Sequence, residues 1–468
     1  MALHLISILG YSALLVALGF VVGRRVESAA TFFVADRRLG AGLVFATFLA
    51  ANIGAGSVIG ASGLGYVAGW SAWWWVGSAG LGSLLLAFWL GPRIWRVATE
   101  NGLYTAGDYL ELRYGSAVRA TVATLLWLLT LVILAAQLIA MSEIFEWVVG
   151  VPRWVGAVLG GAVMTAYFAA GGLLTAAWVN ALQLVVLLGG FAIGVPIALA
   201  RAGGWERVLA AAPAQGVSSF FFAPGSGLVL VALLVPAFIV SPGLLQKAYG
   251  ARDERAVTIG IGANGLVLLL FALAPPLMGM IARTYDPALA NPEYAVPLVL
   301  TEGLPPVLGA LGLAAVFSAE VSTADAILFM LATSLSKDIY KRYWSPAATD
   351  AQVLRVARLA ALAGGVLGIL LAVVIPTVID SLRVFYAVLG VSLFVPIAAG
   401  LHTRRPGVPE AMAAIGAGIA VLLLMQLGAV GGGSPLLDPT LLGIAASGVA
   451  FVATFWLRAR SARATALD

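Results

Sequence analysis

The chain has 468 residues, 62% of them hydrophobic and 10% charged, and a mean hydropathy of +1.03, which lies outside the range of soluble globular domains and reads as an integral membrane protein. With no cysteine and two histidines, it cannot use disulfides, thiolate metal sites or a histidine metal centre. The formal net charge of +5 is spread in short basic clusters between apolar runs, a pattern suited to lipid head groups rather than nucleic acid.

The first apolar run, Leu3 to Val22, is too long for a signal-peptide core and lacks a small-residue cleavage site before its basic flank, so it reads as a retained helix. At about 20 apolar residues per crossing, further runs fall near 42–66, 70–92, 121–146, 153–171, 173–200, 226–246, 257–282, 305–336, 355–377, 379–400, 410–430 and 439–457. The expectation is an all-α integral membrane protein of about 13 transmembrane helices, since the alternating segments of a β-barrel are nowhere visible. With the N-terminus outside, all but five of the 26 Lys and Arg fall in cytoplasmic connections or the tail, the exceptions being Arg153, Arg201, Arg207, Arg283 and Arg383. The positive-inside rule then puts the C-terminus in the cytoplasm, in a multi-pass cell (plasma or inner) membrane protein. The cluster Lys337 to Arg342 reads as a topology anchor, and Glu143 and Glu146 at the outer end of their span read as solvated.

The second run contains Ala50-Ala51-Asn52-Ile53-Gly54-Ala55-Gly56-Ser57, and the seventh contains Ser241-Pro242-Gly243. Each reads as a helix interruption inside the span, whereas Gly60, Gly63 and Gly65 read as packing positions. The two broken spans are five apart, and an odd offset reverses direction across the membrane. Spans 2–6 and 7–11 therefore read as a 5+5 inverted repeat with discontinuous helices 2 and 7, the arrangement of secondary transporters with sites at the midplane. The domain reading is an N-terminal helix and first loop at 1–41, repeats at 42–200 and 201–401, and two C-terminal helices with a short tail at 402–468.

The ninth run carries Phe317-Ser318-Ala319-Glu320-Val321-Ser322-Thr323-Ala324-Asp325, with Ser322 midway between Pro306 and Asp338 and hence near the bilayer centre. Ala319, Ser322 and Thr323 share a face at i, i+3, i+4. Uncharged oxygens suit a hard monovalent ion such as Na⁺, and carbonyls freed at Ala50 and Ile53 would complete a five-oxygen site between the two helices. A lone serine would more simply bond the carbonyl one turn earlier; an adjacent hydroxyl pair opposite a broken helix favours the ion.

The chain resembles the solute:sodium symporter family, which has the leucine-transporter-like inverted-repeat fold. The resemblance covers nearly the whole chain and is carried by Phe32 to Gly40, Ala50 to Tyr66, Gly107-Asp108-Tyr109-Leu110-Glu111-Leu112-Arg113-Tyr114-Gly115, Gly171-Gly172-Leu173 through Trp178-Val179-Asn180-Ala181-Leu182-Gln183, Gln246-Lys247, and Ser322-Thr323-Ala324-Asp325 followed by Lys337-Asp338-Ile339-Tyr340-Lys341. It implies Na⁺ as the coupling ion, bound by the backbone oxygens of Ala50, Ile53 and Ala319 and the hydroxyls of Ser322 and Thr323, with no organic cofactor. Two departures qualify it. Members with a second sodium site carry an Asp in a Trp-Thr-Asp motif that here reads Trp178-Val179-Asn180. One coupled sodium is the expectation, with Asp325 a candidate replacement carboxylate toward Asn180. The second departure is Glu320, since a midplane carboxylate costs roughly 2.5 to 3.5 kcal/mol unless paired, hydrated or protonated. Cavity-facing, cation-binding and protonated roles stay open for it, and it keeps a proton-coupled transporter of the same fold as the alternative.

In this architecture the substrate sits beside the interruptions, among Asn52, Gly56, Ser57, Trp75, Val76, Ala79, Ser241 and Gly243. Sugar-carrying relatives place amide and carboxylate side chains where this chain has Ser57, Val76 and Ala79. A small amino acid or monocarboxylate is therefore expected over a sugar, its carboxylate at the helix N-termini of the breaks. Trp70, Trp73 and Trp74 read as membrane interface, and Asp380 with Arg383 as a gate or a surface ion pair. Neither His4 nor His402 has a buried partner for catalysis, which argues against an enzyme, and the short tail leaves no room for the signalling domain of a solute sensor. The expected partners are a small-molecule solute and membrane lipid, with no nucleic acid and no obligate protein.

Overall fold

The computed structural model describes residues 2–23, 33–169, 173–211, 227–403, 405–428 and 438–464. Phe32, Gly171 and Gly172 of the motifs above lie outside them. Among the described residues ten helices are long and apolar enough to cross a membrane, and shorter apolar helices lie at Leu3–Leu18 and Ala41–Asn52. In chain order the first half contains α1 (Ala2–Gly23), α2 (Ala41–Asn52), α3 (Ala61–Ala68), α4 (Trp73–Leu85), α5 (Gly91–Glu100), α6 (Ala106–Tyr114), α7 (Ser116–Val149), α8 (Arg153–Ala169), α9 (Leu173–Arg201) and α10 (Gly204–Ala211). The second half contains α11 (Leu228–Val240), α12 (Pro242–Tyr249), α13 (Glu254–Phe271), α14 (Ala274–Tyr285), α15 (Ala295–Glu302), α16 (Pro306–Thr333), α17 (Asp350–Val374), α18 (Val378–His402), α19 (Val408–Gln426) and α20 (Pro439–Ala464). Wider-wound turns join α4 to α5 at Leu86–Leu90 and extend α16 through Ser334–Trp344.

Two helices are broken where the sequence interrupts them. After Asn52 the chain turns extended at Ile53 (φ −104°, ψ 98°) and rewinds through a wide turn at Gly56–Gly60 into α3. At Ser241 (φ −54°, ψ 118°) α11 stops and α12 begins. The cause there is Pro242, which lacks an N–H and disfavours helical geometry in the residue before it. α16 occupies the middle of the bundle, packed against α1, α2, α7, α8, α9 and α17. It is largely apolar, as a helix packed among others must be, and its polar residues Ser318, Glu320, Ser322, Thr323 and Asp325 are all buried. The glycines of α3 are packing positions: a methyl on Gly65 would lie 2.5 Å from Pro276 Cα, and one on Gly63 would lie 3.2 Å from Glu293 Cγ. The segments flanking the breaks also meet, since Leu39 N–H donates to Gly250 O (3.0 Å) and Arg252 N–H to Leu39 O (2.9 Å).

Candidate functional site

The first break faces the middle of α16. Thr323 Oγ1 donates to Ala50 O (2.9 Å) and to Ile53 O (3.1 Å), while Ser322 Oγ lies 2.9 Å from Ala319 O and 3.4 Å from Ala50 O. Ala50, Ile53, Ala319, Ser322 and Thr323 thus contribute oxygens to one buried cluster. Ile53 is extended, which turns carbonyls of the broken segment out of the helical ladder and toward α16. The break also frees an amide, and Ala55 N–H donates to Gln137 Oε1 on α7 (3.1 Å). Ser57 Oγ donates to Asn52 O, and Asn52 Nδ2 to Asn264 Oδ1 on α13 (3.2 Å).

Beside this cluster, between the two breaks, lies a cavity of about 70 Å³. Asn52, Gly56, Ser57, Trp75, Ala79, Ser241 and Gly243 line it. Val76 does not: it is 1% exposed and packs into the core, because its neighbour Trp75 takes the cavity-facing side of α4. Trp75 meets Tyr386 of α18 edge-on (centroids 6.4 Å apart), and Tyr386 lies tilted against Phe238 (5.3 Å). Gln137, Lys247, Phe238, Phe385 and Tyr386 were not read from the sequence as cavity residues. Gln137 had a usable signal, an amide inside an apolar span; the aromatic residues had none.

The intramembrane acids sit differently from expectation. Glu320 is 0% exposed, does not line the cavity, and neither of its oxygens has a hydrogen-bond partner among the described residues. Asp325 and Asn180 are both buried, yet no hydrogen bond joins them and each leaves an oxygen unpartnered. The charge that acts on Asp325 is Lys247. Asp380 bonds Thr377 Oγ1 (2.6 Å) in the cap of α18, and no ion pair with Arg383 forms, because the helix N-terminus claims both residues of the cap. Lys337 is half-buried rather than a free anchor, its Nζ 4.0 Å from the centroid of Tyr104.

Glu143 is buried, not solvated. Asn291 Nδ2 donates to its Oε1 (3.2 Å), Oε2 has no hydrogen-bond partner among the described residues, and the Glu293 carboxyl is the neighbouring acid. Glu293 in turn accepts from Val378 N–H (3.1 Å) and Ile379 N–H (3.3 Å) at the start of α18. Two buried carboxyls in contact cannot both be charged at low cost, so the pair holds a proton. Arg153 is the other charge that acts on the pair. Burial pushes the Glu293 carboxyl above the ordinary carboxylate range, against the two amides that favour its charged form. A raised acid binds more protons folded than unfolded, so its stabilisation is present below the ordinary value and is lost as pH rises through the folded value. The melting temperature should therefore fall with rising pH through that window. Glu293→Gln, which keeps an acceptor for the amides and donates to Glu143, should flatten this slope; a slope unchanged in Glu293→Gln would place the titration elsewhere.

At the other end of the bundle, Arg119 Nη2 contacts Asp338 Oδ1 (2.6 Å) and Asp108 Oδ1 (2.8 Å), and Nη1 contacts Glu111 Oε2 (2.6 Å). Thr105 Oγ1 donates to Asp338 (2.7 Å), and Arg342 pairs with Glu111. The motifs at Gly107–Gly115 and Lys337–Lys341 meet in this network.

The Sodium:solute symporter family profile matches residues 32–418. Among curated relatives, the chain is 27% identical over 404 residues to a "Sodium/glucose cotransporter" of Vibrio parahaemolyticus, covering 77% of this chain and 73% of that one. It is 26% identical over 445 residues to the human "Sodium/iodide cotransporter" (86% and 66% covered) and 25% identical over 348 residues to the "Sodium/pantothenate symporter" of Escherichia coli (68% and 69% covered). A solved Na⁺-coupled sialic acid symporter in a substrate-bound outward-open state superposes with a TM-score of 0.84 over 97% of both chains at 18% identity, and so shares the fold. With the family profile spanning most of its length, this all-helical, multi-pass chain belongs to the sodium:solute symporter family.

Proposed function

We propose that the chain is a sodium-coupled symporter that imports a small organic solute by alternating access, with Na⁺ bound by Ala50 O, Ile53 O, Ala319 O, Ser322 Oγ and Thr323 Oγ1. The observation that carries this reading is the Thr323 hydroxyl, held between two carbonyls of a broken helix (2.9 and 3.1 Å). An ion entering there replaces hydroxyl–carbonyl bonds with ion–oxygen contacts and ties α2 to α16. The cavity shares Thr323 with that cluster and is also lined by Gly54 of the same break, so ion and solute bias the same element. Coupling then arises because both bind one state better than the other. The breaks in helices five spans apart support two inverted repeats, 42–200 and 201–401, among about 13 spans, with the N-terminus outside and the C-terminus cytoplasmic. Relatives named for glucose, iodide and pantothenate leave the solute open, and a small amino acid or monocarboxylate fits the cavity better than a sugar.

The test is Na⁺-gradient-driven uptake and ²²Na⁺ binding by purified protein, beside Ser322→Ala and Thr323→Ala. Each variant removes one oxygen from a cation, an interaction of about 1.5 to 3 kcal/mol, and so should weaken Na⁺ roughly 10- to 100-fold. Glu320 favours one rival, since a buried carboxyl without a partner suits a proton. Uptake indifferent to Na⁺ but driven by a pH gradient and abolished in Glu320→Gln would replace sodium coupling with proton coupling. Solute binding without flux would indicate a sensor.

A further inference from the structure

The cavity carries one positive charge and no negative one. Lys247, on α12 six residues past the break at Ser241, is 3% exposed and lines the cavity, whereas no Asp or Glu does so among the described residues. Among those residues Lys247 stands in no ion pair and over no aromatic face. The acid that acts on it, Asp325, sits on α16 outside the lining, too distant for an ion-pair contact, with Oδ1 unpartnered. An ammonium so placed is partly offset from behind and open toward the cavity. Burying such a charge without a contact partner costs several kcal/mol, and intramembrane cations are kept where they do something.

The occupant that completes this arrangement has a single negative charge. A neutral solute would leave Lys247 unpaired. A zwitterion would set its ammonium among the neutral oxygens of Ser241, Gln137 and Tyr386 with no carboxylate to receive it. The same cavity is walled by Trp75, Phe238 and Phe385, apolar surface for a short carbon tail. A void of about 70 Å³ has room for several water-sized groups, which suits a small solute. We propose that Lys247 is the anion anchor of this cavity and that the transported solute is a small monocarboxylate with an apolar tail. This rests on the symport reading above and narrows its substrate class.

The experiment compares size-matched probes in Na⁺: pyruvate and propionate, their amides pyruvamide and propionamide, and the zwitterion alanine. Thermal stabilisation and Na⁺-driven uptake are read in the wild type, Lys247→Gln and Lys247→Arg, with ²²Na⁺ binding measured separately. The wild type should favour the carboxylates at least tenfold over amides and alanine. Lys247→Gln should lose that preference while binding ²²Na⁺ within twofold of wild type, and Lys247→Arg should keep it. A wild type that prefers an amide or alanine, or responds to no carboxylate above its amide, overturns the proposal, as does a Lys247→Gln protein that keeps carboxylate preference. If Lys247→Gln does not fold, the wild-type selectivity alone decides. Loss of ²²Na⁺ binding in the wild type overturns the symport reading instead, and stabilisation by pyruvate over pyruvamide then still decides the role of the cavity.

Discussion

Gly54→Ala should abolish high-affinity Na⁺ binding and lower the melting temperature of the purified protein. A methyl built on Gly54 would lie 2.3 Å from Thr323 Oγ1, 2.7 Å from Thr323 Cβ and 2.9 Å from Gln137 Oε1. Something must move, and each neighbour is already committed: Thr323 to the carbonyls of Ala50 and Ile53, Gln137 to the amide of Ala55. Displacing Thr323 opens the oxygen cluster at its centre, and displacing Gln137 strands a buried N–H. Overpacking of this kind costs typically about 1 to 3 kcal/mol before the lost hydrogen bonds are counted. The origin is space rather than backbone conformation, since Gly54 is not among the glycines with positive φ. Gly42→Ala is the control: it lies in α2, before the break, where nothing stands within 4 Å of the added methyl, and helix propensity there gains from alanine. ²²Na⁺ binding and thermal melts of both variants decide the matter. Wild-type sodium affinity in Gly54→Ala would separate the helix break from the ion site.

The breaks were legible in the sequence because their causes are local. Pro242 unwinds the residue before it wherever it stands, and glycines at 54 and 56 beside Asn52 weaken a helix without help from a neighbour. The hydroxyl pair at Ser322 and Thr323 was legible because polar groups stand out in an apolar run, and helical spacing alone put them on one face with Ala319. What escaped the sequence depends on contacts between distant segments. Glu143 read as a solvated end residue, and only the loop that brings Asn291 and Glu293 onto it makes it buried. Asp380 read as a partner for Arg383 at i, i+3, yet Thr377 at i−3 claimed it as part of a cap. Asp325 pointed toward Asn180 by family analogy, but it is Lys247, on a half-helix reached only through the second break, that acts on it. Periodicity reports which face a residue is on; it carries no information about which helix that face will meet.

The second large effect is expected at Arg119, where Arg119→Gln should destabilise the protein by about 3 to 5 kcal/mol, the cost of removing one partner from a buried ion pair. The arginine side chain is 8% exposed and Asp338 4% exposed, so little solvent is present to screen what remains. Three carboxylates, Asp108, Glu111 and Asp338, converge on this one guanidinium, and without it only Glu111, through Arg342, keeps an ion pair among the described residues. Arg119→Gln/Asp338→Asn should recover much of the loss, because it removes a buried charge together with its partner. Acid gives an independent check. Burial works against the charged form of Glu111, but the adjacent Arg119 and Arg342 outweigh it and hold this carboxyl below the ordinary range. An acid lowered in the folded state contributes above its ordinary value, and that contribution is lost as pH falls through the folded value. The Glu111 contribution should thus weaken on acidification, opposite in sign to that of Glu293, and Arg119→Gln should reduce it, leaving the part owed to Arg342. The network fastens α6 to the start of α7 and to the far end of the central helix. Its release should therefore open that end of the bundle in the absence of ion and solute, observed as lower Na⁺-driven accumulation together with weaker ²²Na⁺ binding in Arg119→Gln. Accumulation at the wild-type level in a variant that melts earlier would mean that the network holds the fold together without governing which end is open.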